Sequence, residues 1–146
     1  APDVGGTARA RALGKMLNID LAIIDKRRPK PGKSEVMNVI GKVNNKTCII
    51  VDDIIDSGGT IVNAAKALKG SGAKDVHVYC SHGVLSGNAV EKIKNSKVKN
   101  LVITDTIDNI NKVKKAKNIE ILTISHLVGE AIKRISNSTS VSDLFN

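Results

Sequence analysis

Aromatic side chains are nearly missing from this chain of 146 residues: it has one tyrosine, Tyr79, one phenylalanine, Phe145, and no tryptophan. Proteins that hold single-stranded nucleic acid stack its bases on such rings, so a formal net charge of +9 does not point to nucleic acid. The lysines at 92, 94, 97, 99, 112, 114, 115 and 117 are spread over two surface-type segments. They read as a solvated basic face, part of which draws in phosphorylated small molecules. Long apolar runs are also lacking. None approaches 18 residues and no basic-then-apolar leader opens the chain, so neither a membrane span nor a secretory signal is expected. Cysteine is scarce: Cys48 and Cys80 both lie inside apolar runs. No CxxC or HxxxH spacing joins them to His77, His82 or His126 as a zinc site. Buried reduced thiols and a cytoplasmic setting are the expectation.

What is present is enough for one domain over residues 1–146, with hydrophobic residues making up 41% of the chain. Apolar strand-like runs alternate with helical spacing, which predicts an α/β fold with a parallel sheet flanked by helices on both faces. Helix is expected at 7–17, 61–68, 88–94 and 126–135, the last capped by Ser125. Strand is expected at 21–24, 36–40, 47–51, 76–80, 101–104 and 119–124, with a basic loop over 26–35. Gly70-Ser71-Gly72 follows a helix and reads as its C-terminal cap and turn. The tail is polar up to Leu144 and Phe145, which are expected to dock. Ala1-Pro2-Asp3-Val4-Gly5-Gly6 has the character of a strand end and glycine turn without the strand, so the chain is expected to be a piece of a longer protein.

The most informative string is IIVDDIIDSGGT, residues 49–60. An apolar strand ends in Asp52 and Asp53; Asp56, Ser57, Gly58, Gly59 and Thr60 then open a helix. Unpaired amides at a helix N-terminus favour an anion such as phosphate, the glycines let the backbone approach closely, and Ser57 and Thr60 add hydroxyl donors. Asp52 and Asp53 would repel a bare phosphate. They accept well from sugar hydroxyls, in charge-assisted hydrogen bonds worth roughly 1.5–3 kcal/mol each. One end of the loop suits a phosphate and the other a diol, and a phosphorylated ribose satisfies both. The plainer alternative is a strand–turn–helix connection whose acids cap the helix. A nucleotide P-loop is excluded, because no Gly-Lys-Ser/Thr closes the segment.

Asp25-Lys26-Arg27-Arg28-Pro29 is the second such string. Three successive cations before a Pro- and Gly-containing loop suit a clamp on transferred phosphates, where charge develops on peripheral oxygens. On its own, KRR is as readily an ordinary solvated loop; its meaning comes from the pairing with residues 49–60.

VDDIIDSGGT resembles the phosphoribosyl-diphosphate signature of type I phosphoribosyltransferases and ribose-phosphate diphosphokinases. The string IIDKRRP followed by EVMNVIG is similar to the second family specifically, as are PDVGGTARAR, the stretch 81–89 and ISNSTSVSDLF. The resemblance covers nearly the whole chain and only the C-terminal half of those enzymes. It implies a type I phosphoribosyltransferase-like fold. It also implies transfer of the diphosphoryl group of ATP to the anomeric hydroxyl of ribose 5-phosphate, with Mg²⁺, giving phosphoribosyl diphosphate (PRPP) and AMP for nucleotide biosynthesis. Under the resemblance Lys26 and Arg28 are catalytic, Arg28 also touching substrate. Asp52 and Asp53 hold the ribose hydroxyls, Asp56, Ser57, Gly58, Gly59 and Thr60 hold the 5-phosphate, and Asp3 is metal-linked. Ser140, Ser142 and Phe145 fall in a tail that contributes to effector binding between subunits in some relatives. The family's N-terminal half carries most of the ATP site, so the isolated chain is expected to be inactive, and the family forms homo-oligomers, hexamers among them. Two other readings remain open: a phosphoribosyltransferase acting on a base, and a non-catalytic PRPP-binding regulatory subunit.

Overall fold

A computed structural model describes residues 6–27 and 36–145, with the side chains of all of them but Lys26, Arg27 and Val36. Four parallel strands form the main sheet in the order β3 (Thr47–Ile55), β4 (Asp75–Gly83), β5 (Asn100–Thr104) and β6 (Ile119–Leu122). Their register pairs Ile50 with Val78, Val78 with Leu101, and Leu101 with Ile119. Side chains alternate across a strand, so these residues and Val76 and Ile103 share one face. That face is the core. It packs with Ile61, Ala64, Ala65 and Leu68 of α2 (Gly59–Gly70) and with Ala89 and Ile93 of α3 (Ala89–Lys94). The opposite face is barer: Ile49 is 39% exposed and Tyr79 44%. The architecture is the expected α/β fold with a parallel sheet and helices.

The helix α1 (Thr7–Leu17) has the predicted bounds. Asn18 stops it in the left-handed conformation (φ 51°), and the Ile19 amide returns to the Gly14 carbonyl at 2.9 Å. α1 touches β3. A mostly apolar cavity of about 590 Å³ runs between them, lined by Leu13 and Gly14 of α1, Ile24, Cys48 to Val51, and Leu68. As predicted, α2 ends at the Gly70–Gly72 turn, where Gly72 takes φ +89° and the Ala73 amide reaches the Leu68 carbonyl.

Several expectations need correcting. The strand near residue 21 begins later and continues through the cations, as β1 (Ile23–Arg27). It pairs antiparallel with β2 (Val36–Ile40) in a two-stranded ribbon separate from the parallel sheet. Residues 28–35, the rest of the expected basic loop, lie outside the described residues. β4 runs three residues beyond its apolar core, through Ser81, His82 and Gly83. A short helix α4 (Ile110–Val113) was not foreseen. Ser125 is the first residue of α5 (Ser125–Ser136), not its cap: the Thr123 hydroxyl accepts the Ser125 amide at 3.2 Å, and Asp105 accepts that of Ile124 at 3.0 Å. Hydrogen bonds to Thr123 and to the Ile124 amide hold the Asp105 carboxyl below its ordinary value. Phe145, in a final 3₁₀ turn (Ser142–Phe145), is 67% exposed and does not dock within this chain. Among the described residues no helix is long and apolar enough to cross a membrane.

Candidate functional site

The carboxyl ends of the parallel strands bring the chemistry together, as open α/β sheets favour. β3 leaves its regular ladder at the two acids. Asp52 pairs with Cys80 and Ile54 with His82, and Asp53 between them has no partner in the register. The backbone folds the carboxylates back on itself: the Asp53 amide donates to Asp52 Oδ1 at 3.0 Å, and the Ile54 amide to Asp53 Oδ1 at 3.1 Å. A hydrogen bond shared with Asp52, the local backbone amides and the nearby Arg9 guanidinium keep the Asp53 carboxyl below its ordinary value. Asp53 is therefore an ionised, outward-facing acceptor at neutral pH.

Three residues on, the chain turns into α2. Gly58 is the helix N-cap and is left-handed, φ +75°, with no side-chain cap on the helix. It is also walled in, since a Cβ there would lie 3.3 Å from Ile93 Cδ1. Gly59 is open, a Cβ there meeting only Ser57 Oγ at 4.0 Å. The first amides of α2 thus lack a side-chain acceptor, and the side chains of Asp56, Ser57 and Thr60 are free of hydrogen bonds to other described residues. Residues 56–60 thus bring open amides and hydroxyls together in one turn.

The stretch 81–89, whose resemblance had no evident reason, holds this turn in place. The amides of Val84 and Leu85 donate to the Ile55 carbonyl at 2.9 and 3.1 Å, and that of Ser86 to the Asp56 carbonyl at 3.1 Å. Buried Asn109 ties the end of β4 down by donating to the Gly83 carbonyl at 2.6 Å.

Three groups at this edge escaped the sequence reading. Lys92, placed there among the scattered surface lysines, donates to the Ser57 carbonyl at 3.3 Å and so brings a cation beside the start of α2. Thr104 and Thr106 donate to the Ser81 carbonyl, and His82 Nδ1 lies 2.9 Å from Thr106 Oγ1. Arg9 of α1 reaches both acids, Nη2 to Asp53 Oδ2 at 3.0 Å and Nη1 to Asp52 Oδ1 at 3.6 Å. Arg9 lies in the PDVGGTARAR string, but only the helical register of α1 and its seat against β3 bring it to the acids. Both thiols are free, and burial pushes the Cys80 thiol up to about 11 and raises that of Cys48.

Of the other expected site residues, Lys26 sits near the end of β1 opposite Met37 in the ribbon. Asp3 and Arg28 lie outside the described residues.

The described residues thus form an α/β domain with two acids late in one strand and a glycine-opened helix beyond them. Residues 3–146 match the Phosphoribosyl synthetase-associated domain family, and the chain belongs to that family. It is 60% identical over 146 residues to a ribose-phosphate pyrophosphokinase of Bradyrhizobium diazoefficiens, covering all of this chain and 46% of that protein. It is 54% identical over 145 residues to the one of Bordetella pertussis, covering 99% of this chain and 47% of the relative. The crystal structure of phosphoribosylpyrophosphate synthetase from Mycobacterium smegmatis superposes with a TM-score of 0.83 at 34% identity, over 94% of this chain and 44% of that one. The chain thus spans about half the length of the relatives it matches.

Proposed function

We propose that this chain supplies the ribose 5-phosphate site and catalytic ribbon of a ribose-phosphate diphosphokinase, which transfers the diphosphoryl group of ATP to the anomeric hydroxyl of ribose 5-phosphate. The observation that carries the reading is the adjacency of two acceptors and one cradle. Asp52 and Asp53 lie in the second half of β3, which runs on through Ile54 and Ile55, and five residues after Asp53 the uncapped, glycine-opened N-terminus of α2 begins at Gly58. The phosphate sits on the amides of residues 58–60 with the hydroxyls of Ser57 and Thr60, and Lys92 adds charge nearby. The diol donates to Asp52 and Asp53. Anchored at both ends, the sugar presents its anomeric oxygen in one orientation, and positioning of this kind is a large share of phosphoryl-transfer catalysis.

Lys26 and Arg28, from the ribbon and the segment following it, stabilise charge on the transferred group. Mg²⁺ fits this donor set: it takes one or two carboxylates completed by phosphate and water oxygens, which Asp3 beside a phosphorylated substrate satisfies. When bound, it neutralises charge on the diphosphoryl oxygens. Residues 1–146 act as one phosphoribosyltransferase-like domain, and the complementary half carries most of the ATP site, so the chain alone does not turn over. The complete protein is a cytoplasmic homo-oligomer in this reading.

The test is thermal. Ribose 5-phosphate or PRPP at 100 times its dissociation constant adds about 2.7 kcal/mol to stability, which raises the melting temperature by several degrees. Asp56→Asn removes that rise. A wild-type chain whose melting temperature does not move at millimolar ligand contradicts the assignment.

A further inference from the structure

The ion pairs between α1 and the end of β3 carry one step more. We infer that Arg9 is the positioning residue of the diol site: its guanidinium bridges Asp52 and Asp53 and holds the two carboxylates side by side, aimed to accept neighbouring sugar hydroxyls. The inference rests on the ribose 5-phosphate reading above and names the residue that builds its sugar end.

Successive strand residues normally point to opposite faces. Here both carboxylates meet one guanidinium, at 3.0 Å from Asp53 and 3.6 Å from Asp52. Two like charges this close repel, and a planar, always-charged fork between them removes the repulsion while fixing their relative orientation. Asp53 stays open to a ligand: its side chain is 59% exposed, with the Ile54 amide on Oδ1 and Arg9 on Oδ2. The short arm of the bridge contributes little to folding, because the Arg9 side chain is 41% exposed and that of Asp53 59%, and the arm to the 17% exposed Asp52 is long at 3.6 Å. Its contribution is to geometry at the ligand, so the fold should survive its loss.

The experiment compares ribose 5-phosphate with 2-deoxyribose 5-phosphate, which lacks one hydroxyl of the diol, by titration calorimetry on the complete protein. Wild-type protein should prefer the ribose ligand. Arg9→Gln should shrink that preference by about ten-fold, one charge-assisted hydrogen bond's worth, and leave affinity for inorganic phosphate unchanged. Arg9→Lys, which keeps the charge without the fork, should fall between and covers the case in which the glutamine variant does not fold. A preference equal to wild type in the variants, or a loss shared equally by ribose 5-phosphate, its deoxy analogue and phosphate, overturns the inference. If wild-type protein shows no preference between the two sugars, the diol assignment of Asp52 and Asp53 itself fails, an outcome distinct from a silent Arg9.

Discussion

Gly58 and Gly59 are adjacent and chemically identical, yet they answer to different constraints. Gly58 has φ +75° and sits against Ile93 and Ala89. A side chain there meets both backbone strain, about 1–3 kcal/mol for a non-glycine residue in this region, and crowding. Gly59 has neither problem; its missing side chain matters only to what approaches the amides from outside. Gly58→Ala should therefore lower the melting temperature by several degrees, whereas Gly59→Ala should leave it nearly unchanged and weaken binding of ribose 5-phosphate. Thermal melts with and without ligand separate the two. A Gly59→Ala protein that binds as well as wild type would show that the ligand does not come down on these amides. Two glycines in a row announce a turn in any sequence; which one serves the fold and which the ligand depends on Ile93, 35 positions further along.

At the scale of elements, the helices divide by what they bury. Leu101 is fully buried at the centre of β5, while Ile132 of α5 is 62% exposed and no residue of that helix is buried. In this chain Leu101→Ala should cost about 2–5 kcal/mol by urea denaturation, from lost transfer energy plus the cavity left behind. Ile132→Ala should stay within about 0.5 kcal/mol. A large cost at Ile132 would mean that α5 packs against something in the folded chain. The same division explains what was legible beforehand. Elements defined by their own periodicity, α1, α2 and β5, lie within two residues of their expected bounds at each end, whereas β3 runs four residues beyond its expected end, through both acids to Ile55. β1 was misread because its cations resemble a loop, and only pairing with β2 makes Asp25–Arg27 a strand. The Asp105 bond at the start of α5 depends on a neighbour 19 residues away in sequence. So did the site: its acids and glycines stand in one string, but Arg9 and Lys92 come to it from α1 and α3.

Across the whole molecule, the +9 charge acts through distance as well as contact. Lys92 donates to the Ser57 carbonyl beside the start of α2. Lys114 and Lys115, exposed between α4 and β6, make no such contact. β6 is three strands from β3 in the sheet, at least about 14 Å at the usual strand spacing. The screening length is about 30 Å at 0.01 M ionic strength and about 8 Å at 0.15 M. These two lysines can therefore assist an anionic sugar phosphate only in dilute salt, as part of a field that gathers ligand from solution. Lys114→Glu/Lys115→Glu should weaken ribose 5-phosphate binding measurably at 0.01 M and match wild type at 0.15 M and above. Lys92→Gln should stay weaker at both, because its ammonium lies within the screening length of the site. Calorimetric titration at the two salt concentrations decides the matter. A deficit of the double variant that persisted at high salt would place Lys114 or Lys115 in direct contact with ligand, and the basic surface would then be part of the binding site itself.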